Sequence, residues 1–230
     1  MKKYIFLILL IFSTLFIFGC TKKEPELNDL EAIKKRGYLI VGTKADSPPF
    51  GFYNKDGKLV GMDIDIAYAI AEKIFNTDSP SNVKFISVNP QNRISKLNSQ
   101  EVDILVATMS INEKRKLILK FSNPYFVANQ KLLIRKTSKI AHLQYFNKHG
   151  RLAVVMGTTG ERVARHITPN ANLIGTKSYA HAYNLLTNNK VDAILGDDCI
   201  LAGFLNKNLK IINHIRIGAL LCLNLLPICS

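Results

Sequence analysis

Cysteine is scarce in this chain of 230 residues: Cys20, Cys199, Cys222 and Cys229 are all it has. Cys20 is accounted for by the leader described below, and the other three are an odd number, so a framework of disulfides is not indicated. No two cysteines have zinc-type spacing, and His142, His149, His166, His181 and His214 form neither an HExxH motif nor a close pair. Neither a metal site nor a cofactor is expected. Acids are few as well, 17 against 31 lysines and arginines, for a formal net charge of +14. That balance would suit nucleic acid in the cytosol, but the bases are scattered singly, with no arginine-rich arm and no aromatic-basic ladder. The charge is read as solvated surface with a weak pull on anionic lipids or ligands, and nucleic acid is not expected as a partner.

Long apolar runs are also missing, save near the two ends. Lys2 and Lys3 precede an apolar stretch from Tyr4 to Phe18, which closes on Ile17-Phe18-Gly19-Cys20 before polar residues. The stretch falls short of the ~20 residues a spanning helix needs, and no stop-transfer segment follows. Residues 1–19 are therefore expected to be a secretory signal peptide rather than an uncleaved anchor. The small Gly19 suits processing at a lipoprotein-type box, which would make Cys20 the lipidated first residue of the mature chain. Residues 20–29 then form a lipidated tether, and the remainder works outside the cytoplasmic membrane, in the periplasm or at the cell surface. That remainder, more than ~200 residues, suffices for two modest domains.

Beyond the leader, the hydrophobic period predicts a helix over Leu27 to Lys35 stopped by Gly37, then a strand over Tyr38 to Gly42. Asn54-Lys55-Asp56-Gly57 turns a small hairpin. Asp63 or Asp65 can cap a helix whose apolar positions run from Ile66 to Phe75. Strands at Val83 to Val88 and Val102 to Ala107 alternate with helices at Arg93 to Ser99 and Glu113 to Leu119. After Gln130 to Arg135 the alternation repeats: strand Leu152 to Val155, helix Glu161 to Ile167, strand near Leu173-Ile174, helix Tyr179 to Thr187, strand Val191 to Leu195 and helix Ile200 to Leu205. Alternation of this kind predicts two similar α/β units with largely parallel sheets, joined near Phe126 to Gln130. Ligands of such sheets sit beyond the carboxyl ends of the strands. The loops there carry Gly42-Thr43-Lys44, Asn92-Arg93, Thr108-Met109-Ser110 with Arg115, Gly157-Thr158-Thr159-Gly160, and Gly196-Asp197-Asp198.

Gly61-Met62-Asp63-Ile64-Asp65, Thr108 to Arg115, Phe121-Ser122-Asn123-Pro124-Tyr125 and Val191-Asp192-Ala193, in that order, resemble the family 3 solute-binding proteins of amino-acid ABC importers. The resemblance covers roughly Leu30 to Ile212. It implies a two-lobed periplasmic-binding-protein clamshell of type II, with lobe 1 over 30–128 and lobe 2 over 129–212, which captures an amino acid, as a monomer, for a membrane permease. An α-amino acid needs a bidentate cation and N–H donors for its carboxylate, and an anion with acceptors for its ammonium. Arg115, whose matching positions in the family grip the α-carboxylate, would do so beside Ser110, with Thr158 and Thr159 from the other lobe. The bland readings are a solvated helix arginine and an ordinary helix cap. Asp197 would take the ammonium with the Thr108 hydroxyl or the Met109 carbonyl, whereas Asp198 reads better as a cap. Ser47 and Pro90 stand where most relatives carry aromatics, which argues against a large apolar ligand. Lys44 and Arg93 resemble the basic residues that face a side-chain carboxylate in binders of glutamate and aspartate, although two cations on loops also read as plain surface.

The pattern ends at Ile212. Residues 213–230, with the uncharged run Ile217 to Pro227, are expected to be an atypical tail in place of the family's return to lobe 1, as after a frameshift or truncation. Two rivals to transport therefore stand beside it: a dehydratase acting on cyclohexadienyl acids, which shares the fold, and a defective paralogue.

Overall fold

The computed structural model describes residues 30–207 and 215–218. The expected signal peptide, Cys20, the tether and most of the tail lie outside the described residues.

Lobe 1 is built on β1 (Leu39–Thr43), whose apolar residues Leu39 and Val41 are wholly buried. It lies between β5 (Val83–Ser87) and β6 (Ile104–Leu105), parallel to both. Ahead of it, α1 (Leu30–Arg36) buries Ile33 and ends at Gly37, whose φ of +83° a residue with a side chain rarely adopts. Three short strands, β2 (Asp46–Ser47), β3 (Gly51–Tyr53) and β4 (Leu59–Val60), form an antiparallel side sheet. Its turn is held by Asn54, whose side-chain oxygen accepts the N–H groups of Asp56 and Lys58. The long helix α2 (Met62–Phe75) buries Ile64, Ala67 and Ala71, a spacing that puts them on one face. Gly61 occupies its N-cap with no side-chain cap. The expected cap by Asp63 or Asp65 is thus not made, because the Asp63 carboxylate turns inward, away from the helix end. Helices α3 (Arg93–Asn98) and α4 (Glu113–Lys116) follow. The latter stops three residues before the predicted end, where Leu117 is 84% exposed.

Lobe 2 repeats the unit. Strands β8 (Arg151–Val155), β9 (Asn172–Thr176) and β10 (Ala193–Asp197) run parallel in the order β9-β8-β10, matching β5-β1-β6. The crossover strand β7 (Gln130–Arg135) pairs antiparallel with β10 and, on its other side, with β11 (Ile215–Gly218). The boundary expected at 212 therefore falls before a strand that belongs to this sheet. Helices α5 (Thr159–Ile167), α6 (Tyr179–Thr187) and α7 (Asp198–Lys207) complete the lobe. Both faces of the sheet are covered: Ala153 and Val155 pack with Tyr183 and Leu186, while Leu152 and Val154 pack with Phe146 and Val163. Asp192 precedes β10 and accepts from Arg135 at 2.9 Å and from the Arg151 N–H at 2.8 Å, tying three strands together. That clasp starts β10 two residues later than predicted and brings Asp197 to its last position.

Candidate ligand-binding site

The loops beyond β1, β5, β6, β8 and β10 meet between the lobes. Eight of the nine expected residues, Lys44, Arg93, Thr108, Ser110, Arg115, Thr158, Thr159 and Asp197, line one hollow together with Pro90, Tyr179 and Ile200. Met109 does not. Met109, from which a carbonyl was expected, lines an apolar groove instead, and Thr108 and Ser110 border both.

From lobe 1 come three cations. Lys44 is 1% exposed, with its Nζ 3.2 Å from Asp46 and 5.5 Å above the Tyr179 ring. Burial lowers its pKa, and the Asp46 charge opposes that. Arg93, at the start of α3, is 3% exposed and donates to the Ala107 carbonyl at 2.9 Å. Its Nε is buried without a partner, and no carboxylate lies within ion-pair distance among the described residues. Burial, with the Arg115 charge added, pushes this guanidinium down to about 9. Arg115 donates at 2.6 Å to the Ser110 carbonyl and at 3.1 Å across the cleft to that of Gly157. Asn112 caps its short helix by accepting the Arg115 N–H.

Thr108 sits at φ +46°, a conformation uncommon outside glycine. Its N–H donates to Asp63 at 3.1 Å, and the other Asp63 oxygen accepts the Tyr125 hydroxyl at 2.9 Å. Asp63 has no exposed surface, and burial raises its pKa to about 6 against those hydrogen bonds.

Lobe 2 supplies the opposite wall. The Thr158 hydroxyl is taken up by the helix, accepting the Glu161 N–H and donating to the Val155 carbonyl. The cap reading of Thr158 is therefore what its side chain does. The Thr159 hydroxyl faces that of Ser110 at 3.3 Å. Asp197 accepts from the Gln130 carboxamide, and burial raises its pKa while Gln130, Lys44 and Arg93 oppose the shift. Asp198 faces elsewhere: it accepts the Cys199 N–H at the start of α7 and both the N–H and the carboxamide of Asn129, in the crossover.

The lobes touch through side chains and main chain together: Phe50 belongs to the same apolar cluster as Ile200 and Leu201 of lobe 2, and Lys44 lies over the Tyr179 ring. Arg115 reaches the Gly157 carbonyl and Gln91 that of Met156. A Cβ on Gly157 would stand 2.9 Å from the Pro90 carbonyl, and one on Gly203 would collide with that of Pro48. The free space enclosed is about 10 Å³, at most one water. A ligand of amino-acid size enters only when the lobes part. Sequence reasoning did not identify Asp46, Asp63, Gln130, Tyr179 or Ile200 as parts of this neighbourhood. Of these, Asp63 alone carried a signal, in the motif from Gly61 to Asp65.

An α/β clamshell with a guanidinium and a carboxylate facing one interlobe hollow defines a solute-binding protein. The sequence matches the bacterial extracellular solute-binding proteins, family 3, over residues 39–214, and the chain belongs to that family. It is 38% identical to the glutamine-binding protein of Geobacillus stearothermophilus over 80% of this chain and 70% of that one. To the ABC transporter glutamine-binding protein GlnH of Bacillus subtilis it is 35% identical, over 83% of this chain and 69% of the relative. An ancestral arginine-binding protein bound to glutamine superposes with a TM-score of 0.74 at 32% identity, covering 80% of this chain and 79% of that structure.

Proposed function

We propose that this chain is the capture lipoprotein of an amino-acid ABC importer, anchored through Cys20, acting as a monomer and delivering glutamate or aspartate to a membrane permease. Arg115, the Ser110 and Thr159 hydroxyls and the first N–H groups of α5 grip the α-carboxylate. Asp197, with Thr108, takes the ammonium. The acidic preference rests on Arg93. Lys44 has Asp46 and Arg115 has the α-carboxylate, which leaves one buried guanidinium without an anion. A ligand side-chain carboxylate fills that need, since an unpaired buried charge costs several kcal/mol. Hydroxyls, guanidinium groups and a single carboxylate suit capture better than the acid and base that a dehydratase needs over its ring.

Glutamine is the second reading, favoured by the two relatives named for it; its carboxamide oxygen also accepts from a guanidinium. Calorimetry against the twenty amino acids separates these. Glutamate or aspartate is expected to bind at micromolar or better, and Arg115→Ala to abolish the heat. No heat with any of the twenty removes the importer reading. Arg93→Ala is expected to weaken acidic ligands by about 10- to 100-fold, the worth of one charge-assisted hydrogen bond, and glutamine by less. Equal losses would overturn the acidic preference.

A further inference from the structure

Gln130 and Asp197 stand directly opposite each other where β7 begins and β10 ends, so their side chains share one face of the sheet. The Gln130 carboxamide donates its Nε2 hydrogen to Asp197, while its Oε1 is buried with no partner. Turned the other way, the carboxamide would set that oxygen against the carboxylate. The donor end therefore faces Asp197 even though the acceptor end goes unsatisfied. Gly160, in the first turn of α5, leaves room for the acceptor end: a Cβ there would stand 2.9 Å from Oε1. The neighbouring pair is built alike, with Asn129 bonded to Asp198 through main chain and side chain. Consecutive residues of the crossover thus hold both acids, and lobe 1 has no part in these bonds.

We propose that Gln130 is a positioning residue for ligand capture, keeping the Asp197 carboxylate anionic and fixed in direction before an amino acid arrives, a role that rests on Asp197 taking the ammonium. A buried carboxylate without a donor takes up a proton readily, and a protonated Asp197 offers an ammonium no charge. Burial does raise the Asp197 pKa, and the charge of Asp198 adds to that; the Gln130 bond opposes it most, ahead of Lys44 and Arg93. Those two cations belong to lobe 1 and draw away when the cleft opens to admit a ligand, whereas Gln130 stays in the same sheet as Asp197. Arg115, also of lobe 1, feels the Asp197 charge as well. Tyr179 and Cys199 complete the surroundings, and burial pushes both the phenol and the thiol up, so neither carries charge near neutral pH. Among the described residues, then, Gln130 is the group of lobe 2 placed to hold the anion in the open state.

The test compares the wild type with Gln130→Met, which keeps an unbranched side chain and removes both amide hydrogens. L-Glutamine and L-glutamate are titrated into each protein by calorimetry between pH 5 and 8. Taking the ratio of variant to wild-type Kd cancels the titration of the ligand and of groups that face Asp197 in both proteins. That ratio is expected to approach one as pH rises and Asp197 ionises with or without the bond. As pH falls it is expected to climb to about tenfold, because the variant takes up the proton first. A side chain that merely filled space would change affinity by one factor at every pH, so a flat ratio overturns the proposal while leaving the importer reading in place. A wild type silent toward both probes overturns the ammonium site itself, and the proposal with it. One check needs no variant to fold: in the ligand-free wild type with nitrogen-15 in its glutamine side chains, one Gln130 amide proton is expected downfield of its partner and to move back as pH falls. A Gln130 pair that stays alike and unmoved across that range also overturns the proposal.

Discussion

A carboxylate with no exposed surface, held by the Thr108 N–H and the Tyr125 hydroxyl, gives lobe 1 a pH-dependent joint. The Asp63 pKa is about 6, above its ordinary 3.8, so the folded chain binds that proton more tightly than the unfolded one. Its contribution to stability is full below the unfolded value and is lost as pH rises through about 6. Lys44 is the charged group whose field opposes the shift. Asp63→Asn keeps the shape but offers only one acceptor to two donors, a cost of about 1–3 kcal/mol. Melting curves from pH 4 to 8 are expected to show the wild type ahead of the variant by a margin that shrinks through pH 6. A flat margin would mean that Asp63 does not titrate in this range. The hollow's polar groups were legible in the sequence because each follows a predicted strand. Asp63 and Tyr179 were not: a carboxylate near a helix start reads as a cap, and an aromatic after Ser178 reads as an ordinary helical core residue.

Helices and strands with a full apolar stripe fell where the hydrophobic period put them, as α2 and β5 do. Two of the misplacements, at β10 and β11, share a cause, which is a partner distant in sequence. β10 begins late because Asp192 is claimed by Arg135 and Arg151. β11 exists because β7 offers an edge about eighty residues upstream. At the β8 to α5 junction, two adjacent threonines look alike in sequence and differ in their bonds. Thr158→Ala removes a helix cap, so it is expected to lower stability by about 1 kcal/mol and to leave ligand affinity unchanged. Thr159→Ala is expected to do the reverse. Thermal melts and calorimetry on both variants check the pair, and a Thr158→Ala that loses affinity while keeping its melting temperature would reverse the assignment.

At the scale of the molecule, capture requires the lobes to separate and meet again about the crossover, a hinge closure that ligand binding biases. Asp198 and Asn129 bond to each other there through both main chain and side chain, so the pivot is reinforced beside the site. Gly157, at φ +75° and against the Pro90 carbonyl, marks where the faces come closest. Gly157→Ala is expected to hold the lobes apart: small-angle scattering would show a smaller ligand-induced fall in radius of gyration than in the wild type, with weaker binding. An unchanged fall would show that closure does not depend on that approach.

One guanidinium serves both jaw and cargo: Arg115 donates across the cleft to the Gly157 carbonyl and also lines the hollow. A lineage built this way can trade one nutrient for another at Arg93, whose bond to Ala107 stays within its own lobe, and still inherit a jaw that shuts.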